Sequence, residues 1–468
     1  MLFTSFEFFA FFAMVYLIHR AAPRHLRNLV LLAASYIFYV VWDWRFLAII
    51  LLSTVSNYVA GLKIADAEPP RKKFYLLLIV LFDVSLLFFF KYFNFFSDNF
   101  AKLLQRMGLG PDWATLEIII PLGISFYTFQ TLAYVIDVYR GGTPPVRRFL
   151  DFALFVAFFP PLIAGPIERG RKLLPQIQGI REITAERQRK GLWLVLWGLV
   201  KKVFIADNLA PMIDNAFASS SDLTGIEILL TIYACSIQLY ADFSGYSDLA
   251  RGLAKFFGFD LTINFKLPLL AKSPTDFWQR WHISLSSWLQ DYLYKPLGGS
   301  AGGMLKTCRN LIITMSLCGL WHEASWNFLL WGLYHGVLLA LDRVIFMPLS
   351  RRISDGVFSN FTRIAITFQL MAFGRLFSRS ESLQQLREVM SGLLQGWHLT
   401  GESLTMVMTF FTYTWPLFVM EWLQGRSGSL APHEKWPLQL RLAMYALLGY
   451  LVFVYGAIHS TEFVYANF

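Results

Sequence analysis

Apolar runs close to twenty residues long, separated by short basic loops, recur along the whole chain and leave few folds open. A helix needs about 20 residues to cross the hydrocarbon core of a bilayer. Runs near that length stand at about 2–18, 28–42, 45–61, 74–96, 114–138 and 149–165. More follow at about 224–242, 310–321, 326–348, 362–378, 403–423 and 441–457. Composition agrees: 56% of the 468 residues are hydrophobic and 15% charged, against about a quarter charged in soluble proteins. The expected fold is an all-α polytopic membrane protein of roughly ten or eleven transmembrane helices with re-entrant and interfacial pieces. Lacking repeats, a low-complexity tail or a soluble stretch, the chain 1–468 is expected to be one domain.

The net charge of +10 would suit a nucleic-acid partner, but its distribution argues otherwise. Arg20, Arg24 and Arg27, then Lys63, Arg71, Lys72 and Lys73, then Arg140, Arg147 and Arg148 occupy alternate loops. Trp42 to Trp44 and Ser97 to Trp113 are far less basic. The positive-inside bias explains this pattern and puts the N-terminus outside, on a retained first span. Cys235, Cys308 and Cys318 fit no disulfide or zinc spacing and read as packing residues, with no metal expected.

Some polar residues interrupt the apolar pattern. Asp83 sits mid-run, a functional candidate or a hydrogen-bonded packing group. Lys91 is expected to snorkel. The segment 121–141, with Gln130 and Asp137, is too polar to face lipid and should line the interior. The run from Phe149 is short and suits a re-entrant element, and 168–190 suits a cytoplasmic loop with short helices. Lys201 and Lys202 lie inside an apolar pattern and need protein or water on one face. ADFSGYSDLARG, with Asp242 and Asp248, reads as irregular, cavity-lining backbone at the membrane edge.

The stretch from Ser273 to His335 carries the chemistry. Ser273-Pro274-Thr275-Asp276 is a helix start, with Ser as N-cap, Pro at the first position and Asp placed to take exposed amides. A helix is expected from there until Pro296 and the Gly298-Gly299 pair. On it Trp278, Trp281, His282, Leu285, Leu289 and Tyr292 share one face, opposite Gln279, Arg280, Ser284, Ser287 and Asp291. His322 ends a second apolar run, Asn310 to Trp321. There is no G-x-S-x-G elbow and no Walker A loop, and His322-Glu323-Ala324-Ser325-Trp326 lacks the second histidine of a zincin helix. Histidine in a buried polar pocket remains, suited to general-base work on a hydroxyl or to a satisfied packing role. His335, about 220° around the following helix by ~100° steps, reads as structural.

Taken together, DFWQRWHISLSSWLQDYLYKPLGG, GLWHEASWNFLLWGLYHG, PLGISFYTFQTLAYVIDVYRG, LIAGPIERG and QLYADFSGYSDLARGLAKFFGF resemble the membrane-bound O-acyltransferase family. Within it the chain is most similar to the bacterial branch containing the alginate O-acetylation membrane subunit and the teichoic-acid D-alanyl transfer protein. The resemblance runs from the N-terminus to about position 345. It implies helices around a funnel or tunnel, with N-terminal helices over 1–165, a catalytic core over 166–348 and C-terminal helices over 349–468. The family's active histidine maps onto His322, and its second position onto His282. Glu323 departs from the W-H-G-A pattern of alginate-type sequences; a carboxylate there raises imidazole basicity or bonds locally.

The resemblance implies transfer of an acyl group, acetyl foremost, from a cytoplasmic thioester such as acetyl-CoA, with no bound cofactor. Lys266, Lys272, Arg280, Lys295, Lys306 and Arg309 form a basic inner face for the donor's phosphates, with Arg280 and Lys295 as binding candidates. His322 would be the base, and His282 or nearby backbone groups would steady the oxyanion. The acyl group would then pass across the bacterial inner membrane to a periplasmic or membrane-anchored acetyltransferase partner and polysaccharide machinery, for an exopolysaccharide such as alginate or cellulose. A lipid- or protein-acylating relative and a flippase of an acylated carrier fit the same broken helices and buried polar groups.

The loop charges make a direct prediction. A cysteine placed at position 71 should react with an impermeant thiol reagent only from the cytoplasmic side; labelling only from outside would overturn the topology.

Overall fold

The computed structural model describes residues 3–109, 118–219, 223–350, 354 and 356–457. Every regular element among them is a helix. In chain order these are α1 (Phe6–Ala21), α2 (Arg27–Val40), α3 (Leu47–Asp66), α4 (Pro69–Leu87), α5 (Phe93–Arg106), α6 (Ile124–Tyr139), α7 (Phe149–Ala157), α8 (Phe159–Leu162) and α9 (Gly170–Gln178). Then come α10 (Ala185–Leu199), α11 (Asp207–Ala218), α12 (Gly225–Phe256), α13 (Pro274–Arg280), α14 (Ile283–Leu289), α15 (Met304–His322) and α16 (Trp326–Leu341). The last are α17 (Met347–Ser350), α18 (Val357–Phe373), α19 (Arg375–Arg379), α20 (Leu383–Gly392), α21 (Gly401–Ser427) and α22 (Leu438–Tyr455). Six of the described helical stretches are long and apolar enough to cross a bilayer unaided. The other apolar runs form helices that are shorter or less apolar than this, such as α1 with 16 residues and α2 with 14, and the beginning of the run expected over 114–138 lies outside the described residues.

The packing divides into two compact units. One comprises the described residues of 1–192 and 250–262, the other those of 193–249 and 263–457. In the first, α6 has the polar, buried character expected of an interior helix: Gln130 donates to the Phe155 carbonyl, and Ser125, Thr128 and Thr131 are buried. The re-entrant reading of the run from Phe149 fits α7, whose nine residues rise only about 14 Å. Asp83 is fully buried and accepts from Asn57 Nδ2 at 3.0 Å. Lys91 does not snorkel. It lies in a π-helical turn, Phe88–Tyr92, that joins α4 to α5, and its ammonium donates to Ser125 at 3.3 Å within the protein. The same continuity carries the chain past Ser97 as helix to Arg106, where a loop was expected. In the loop after α8, Glu168 is fully buried and accepts from the Thr262 amide and hydroxyl, so the PIERG segment acts as a latch.

In the second unit, Lys201 and Lys202 lie in a π-helical turn, Val200–Ala206, and both are satisfied by protein. Lys201 pairs with Asp248 at 2.6 Å, and Lys202 reaches Asp207 at 2.9 Å and Asp242 at 2.7 Å. These partners explain why ADFSGYSDLARG is not irregular backbone. Its carboxylates meet ammonium groups, so the segment stays inside the 32-residue helix α12. Gly245 helps, because a Cβ there would stand 2.9 Å from the Gly198 carbonyl oxygen.

The tightest packing joins α15 to α16. A Cβ on Gly319 would fall 2.1 Å from the Phe328 carbonyl oxygen, one on Gly332 2.3 Å from that of Met315, and one on Gly336 2.7 Å from Ile312 Cα. The two main chains touch, and only glycine permits it. Between them Glu323 caps α15 and Ser325 caps α16, accepting from the Phe328 amide at 3.3 Å. Gly332→Ala should therefore destabilise the protein by about 1–3 kcal/mol, the usual cost of overpacking. Gly449→Ala, where a Cβ meets nothing within 4 Å, should not. Equal melting temperatures for the two variants in the same detergent would contradict the seam.

Candidate active site

The chain from Asn264 to Leu289 is built by local chemistry the sequence announces only in part. Ser273 caps α13 as expected, accepting from the Asp276 amide at 3.2 Å. Asp276 accepts from the Lys272 amide at 2.9 Å. From the first residue of the π-helical turn that continues α16, Asp342 accepts from the Thr275 amide at 3.0 Å. The helix then stops seven residues after it begins. His282 takes left-handed backbone, φ 43° and ψ 53°, and α14 restarts from it, so Pro274 to Tyr294 is not the single helix expected. A helical wheel drawn through the break misplaces side chains: Ser284, set on the polar face, is 2% exposed. The stop near Pro296 is as expected, since helical structure ends at Tyr294.

The break is held by segment 264–266, which pairs with 280–283 in an antiparallel sense. Lys266 N–H donates to the Arg280 carbonyl and Ile283 N–H to the Asn264 carbonyl, each at 2.9 Å. Left-handed backbone at a non-glycine residue costs on the order of 1–3 kcal/mol, and it persists where the surroundings over-determine it. Here it turns the His282 ring inward, 0% exposed, edge-on to Phe243 at 4.6 Å between centroids.

Through this turn and the glycine seam, His282 and His322 come together. Their ring centroids are 6.4 Å apart and their planes 49° apart. His322, the last residue of α15, is 3% exposed and lies 4.9 Å from the Trp321 ring and 5.2 Å, edge to face, from that of Trp331. Trp331 in turn meets Trp278 at 5.9 Å and His335 at 4.7 Å. The indole N–H groups of Trp278 and Trp331 and both ring nitrogens of His335 are buried with no hydrogen-bond partner among the described residues. The sequence placed His335 apart from the pair, and it does stand beyond the Trp331 ring from His322. Asp248 is committed to Lys201.

A cavity of about 420 Å³ meets this cluster at Trp278 and is lined besides by Gln279, Ile283, Ser286, Ser287, Gln290, Tyr294, Thr314, Met315 and Arg343, among others; neither His282 nor His322 is in its lining. That size lies in the range of small-molecule pockets, ~300–1,000 Å³. Neither Arg280 nor Lys295 is in its lining. Arg280 is held by Asp276 at 2.6 Å and Lys295 by Asp291 at 2.7 Å, both i,i+4 pairs. The cation in the lining is Arg343, which lies inside the apolar run expected over 326–348 and was given no role there. A second, much smaller space of about 30 Å³ lies on the other side of Trp278, against Tyr240, Trp281, Trp331, His335 and Arg375. No cluster of three His, Cys, Asp or Glu suited to a metal occurs among the described residues.

Comparison with known proteins converges on one family. The model of the membrane-bound O-acyltransferase family matches residues 143–360. The chain is 45% identical to the probable alginate O-acetylase of Pseudomonas syringae pv. tomato, over 82% of its own length and 73% of that protein. It is 37% identical to the peptidoglycan O-acetyltransferase of Helicobacter pylori, over 78% and 73% respectively. A more distant likeness, 28% identity over 55% of the chain and 68% of the relative, links it to the teichoic acid D-alanyltransferase of Bacillus subtilis. Identity at this level over most of both chains, joined to a helical fold with several membrane-crossing helices, establishes that the chain belongs to the membrane-bound O-acyltransferase family and is a multi-pass membrane O-acyltransferase.

Proposed function

We propose that the protein takes an acetyl group from a cytoplasmic thioester and delivers it across the bacterial inner membrane for O-acetylation of an exopolysaccharide, with His322 as general base. The observation that carries this reading is the meeting of His322 and His282 at 6.4 Å, with the 420 Å³ cavity reaching the same cluster at Trp278. The relatives named alginate O-acetylase and peptidoglycan O-acetyltransferase support acetyl as the group and a polysaccharide as the final acceptor.

The chemistry balances on the protein's own groups. An imidazole nitrogen of His322 takes the proton of an acceptor hydroxyl as its oxygen attacks the thioester carbonyl carbon. The tetrahedral oxyanion collapses, the C–S bond breaks, and the imidazolium returns the proton to the departing thiolate. Ester and free thiol result, with no net proton consumed. The buried indole N–H groups of Trp278 and Trp331 are donors the cluster offers to the carbonyl oxygen. The cavity, polar through Gln279, Ser286, Ser287 and Gln290 and cationic through Arg343, suits the arm and phosphates of the donor.

Replacement of His322 tests the role directly. His322→Ala or His322→Gln should lower acetyl transfer by ~10²–10⁴-fold, the range such bases contribute, with thermal stability near wild type. His335→Ala should cost far less. A folded His322→Ala protein turning over at the wild-type rate would remove the assignment.

Transfer to polymer is expected to need a partner on the far side of the membrane. The purified chain in detergent should cleave acetyl-CoA yet leave added polysaccharide unmodified until membranes containing the partner are supplied. Efficient polymer acetylation by the isolated chain would exclude the relay.

A further inference from the structure

The hydrogen bonds around His282 decide which of its nitrogens carries the proton. Asn264 lies in the segment that braces the helix break, 1% exposed. Its side-chain oxygen accepts from the Ser284 N–H at 3.1 Å, and its amide nitrogen faces Ser247 Oγ at 3.3 Å. The backbone amide can only donate, so the orientation of the Asn264 amide follows: Oδ1 is the atom toward α14. That same Oδ1 lies 3.4 Å from His282 Nδ1. Two acceptors cannot share a hydrogen bond, so Nδ1 must bear the hydrogen. In a neutral imidazole the other nitrogen is then a bare lone pair. His282 Nε2 is buried and has no hydrogen-bond partner among the described residues. By the geometry of the ring it points away from Asn264; the rings packed around His282 are those of Phe243, Trp321 and His322.

We propose that Asn264 is a positioning residue that locks His282 in the Nδ1-protonated tautomer, so that Nε2 meets a reactant as a hydrogen-bond acceptor and does not serve as an oxyanion donor. This rests on the reading of the two histidines as the reaction centre, and it changes the role expected for the second. An oxyanion needs an N–H, and the N–H of His282 is spent on Asn264. Protonation does not restore a donor at Nε2, because burial pushes the His282 imidazole down to about 3. The group that Nε2 can hold is one with a hydrogen to offer: an O–H on the acceptor neighbouring the reacting one. His282 thus aligns an acceptor that offers a second O–H beside the reacting one, while His322 takes the reacting proton. The strained turn has a purpose on this reading. Left-handed backbone at position 282 lets the flanking amides of Ile283 and Ser284 and the ring nitrogen all converge on one asparagine.

The tautomer can be read without any reaction. In the full chain, labelled with ¹⁵N-histidine and reconstituted in lipid bilayers, solid-state NMR should show one imidazole with protonated Nδ1 and bare Nε2 that disappears in His282→Gln. A signal lost in that variant with protonated Nε2 would overturn the proposal, whatever the activity. Kinetics supply the second arm, with acetyl-CoA as donor and membranes containing the partner. Asn264→Leu removes the acceptor and should lower kcat by roughly 10–100-fold, as loss of an orienting partner of histidine does, with KM for acetyl-CoA unchanged because Asn264 is not in the cavity lining. Asn264→Asp keeps an oxygen facing Nδ1 and adds a charge. It should retain more activity than Asn264→Leu and move the acid limb of the kcat profile to higher pH. Read against Asn264→Leu, which carries no charge, that shift isolates the effect of the added carboxylate. Folded Asn264→Leu protein with wild-type kcat and an unaltered profile would refute the positioning role. Absence of acetyl-CoA turnover in the wild type would instead count against the proposed function and leave the NMR result standing.

Discussion

Main-chain contact between α15 and α16 is the constraint on which the site depends. Helices packed through ordinary side chains stand 8–10 Å apart. At Gly319, Gly332 and Gly336 they come closer, to distances at which any Cβ would collide with the opposite backbone. The three-residue turn, with Glu323 closing one helix and Ser325 opening the next, then leaves His322 no freedom to fray outward. The imidazole is held at the end of a buried helix against Trp321 and Trp331. In a membrane protein this rigidity comes from van der Waals contact and hydrogen bonds, since lipid gives helices no hydrophobic reason to associate.

His282 reaches the same place by the opposite device, a helix that is interrupted. Seven residues of α13 and seven of α14 could each run straight, and a straight join would carry the ring past His322. The left-handed residue between them redirects it, and Asn264 supplies the compensating hydrogen bonds on both the main chain and the side chain. One precise contact set thus offsets local strain at a functional position. A comparable logic governs the charges of α12. Desolvating Lys202 alone would be costly; with Asp207 and Asp242 both within 2.9 Å the helix passes through apolar surroundings intact.

Much of this was legible in the sequence because membranes reduce folding to a few strong signals. Apolar runs of sufficient length mark helices: the segments at 326–348 and 403–423 lie within helical stretches of the structure, and that at 441–457 does so as far as Tyr455. The cap at Ser273, the end of helix near Pro296, the interior character of α6 and the burial of both histidines follow from residue types whose chemistry is local. Membership of the acyltransferase family rested on motifs read as strings, and needed no geometry.

What the sequence could not express is any arrangement that depends on a partner distant in the chain. Nothing between Trp278 and Tyr292 signals a break, because the cause is Asn264, eighteen positions before His282. Lys91 looks like a snorkelling residue until Ser125 is seen beside it, and ADFSGYSDLARG looks irregular until Lys201 and Lys202 are. Arg280 and Lys295 each have a carboxylate four residues earlier and are absorbed by it, whereas Arg343 enters the cavity lining only through packing. The sequence alone therefore determined which helices form and which residue types could carry acyl transfer. Tertiary structure alone decided that two histidines forty positions apart face one another, because that distance depends on backbones brought into contact by glycine and on one asparagine bracing a strained turn.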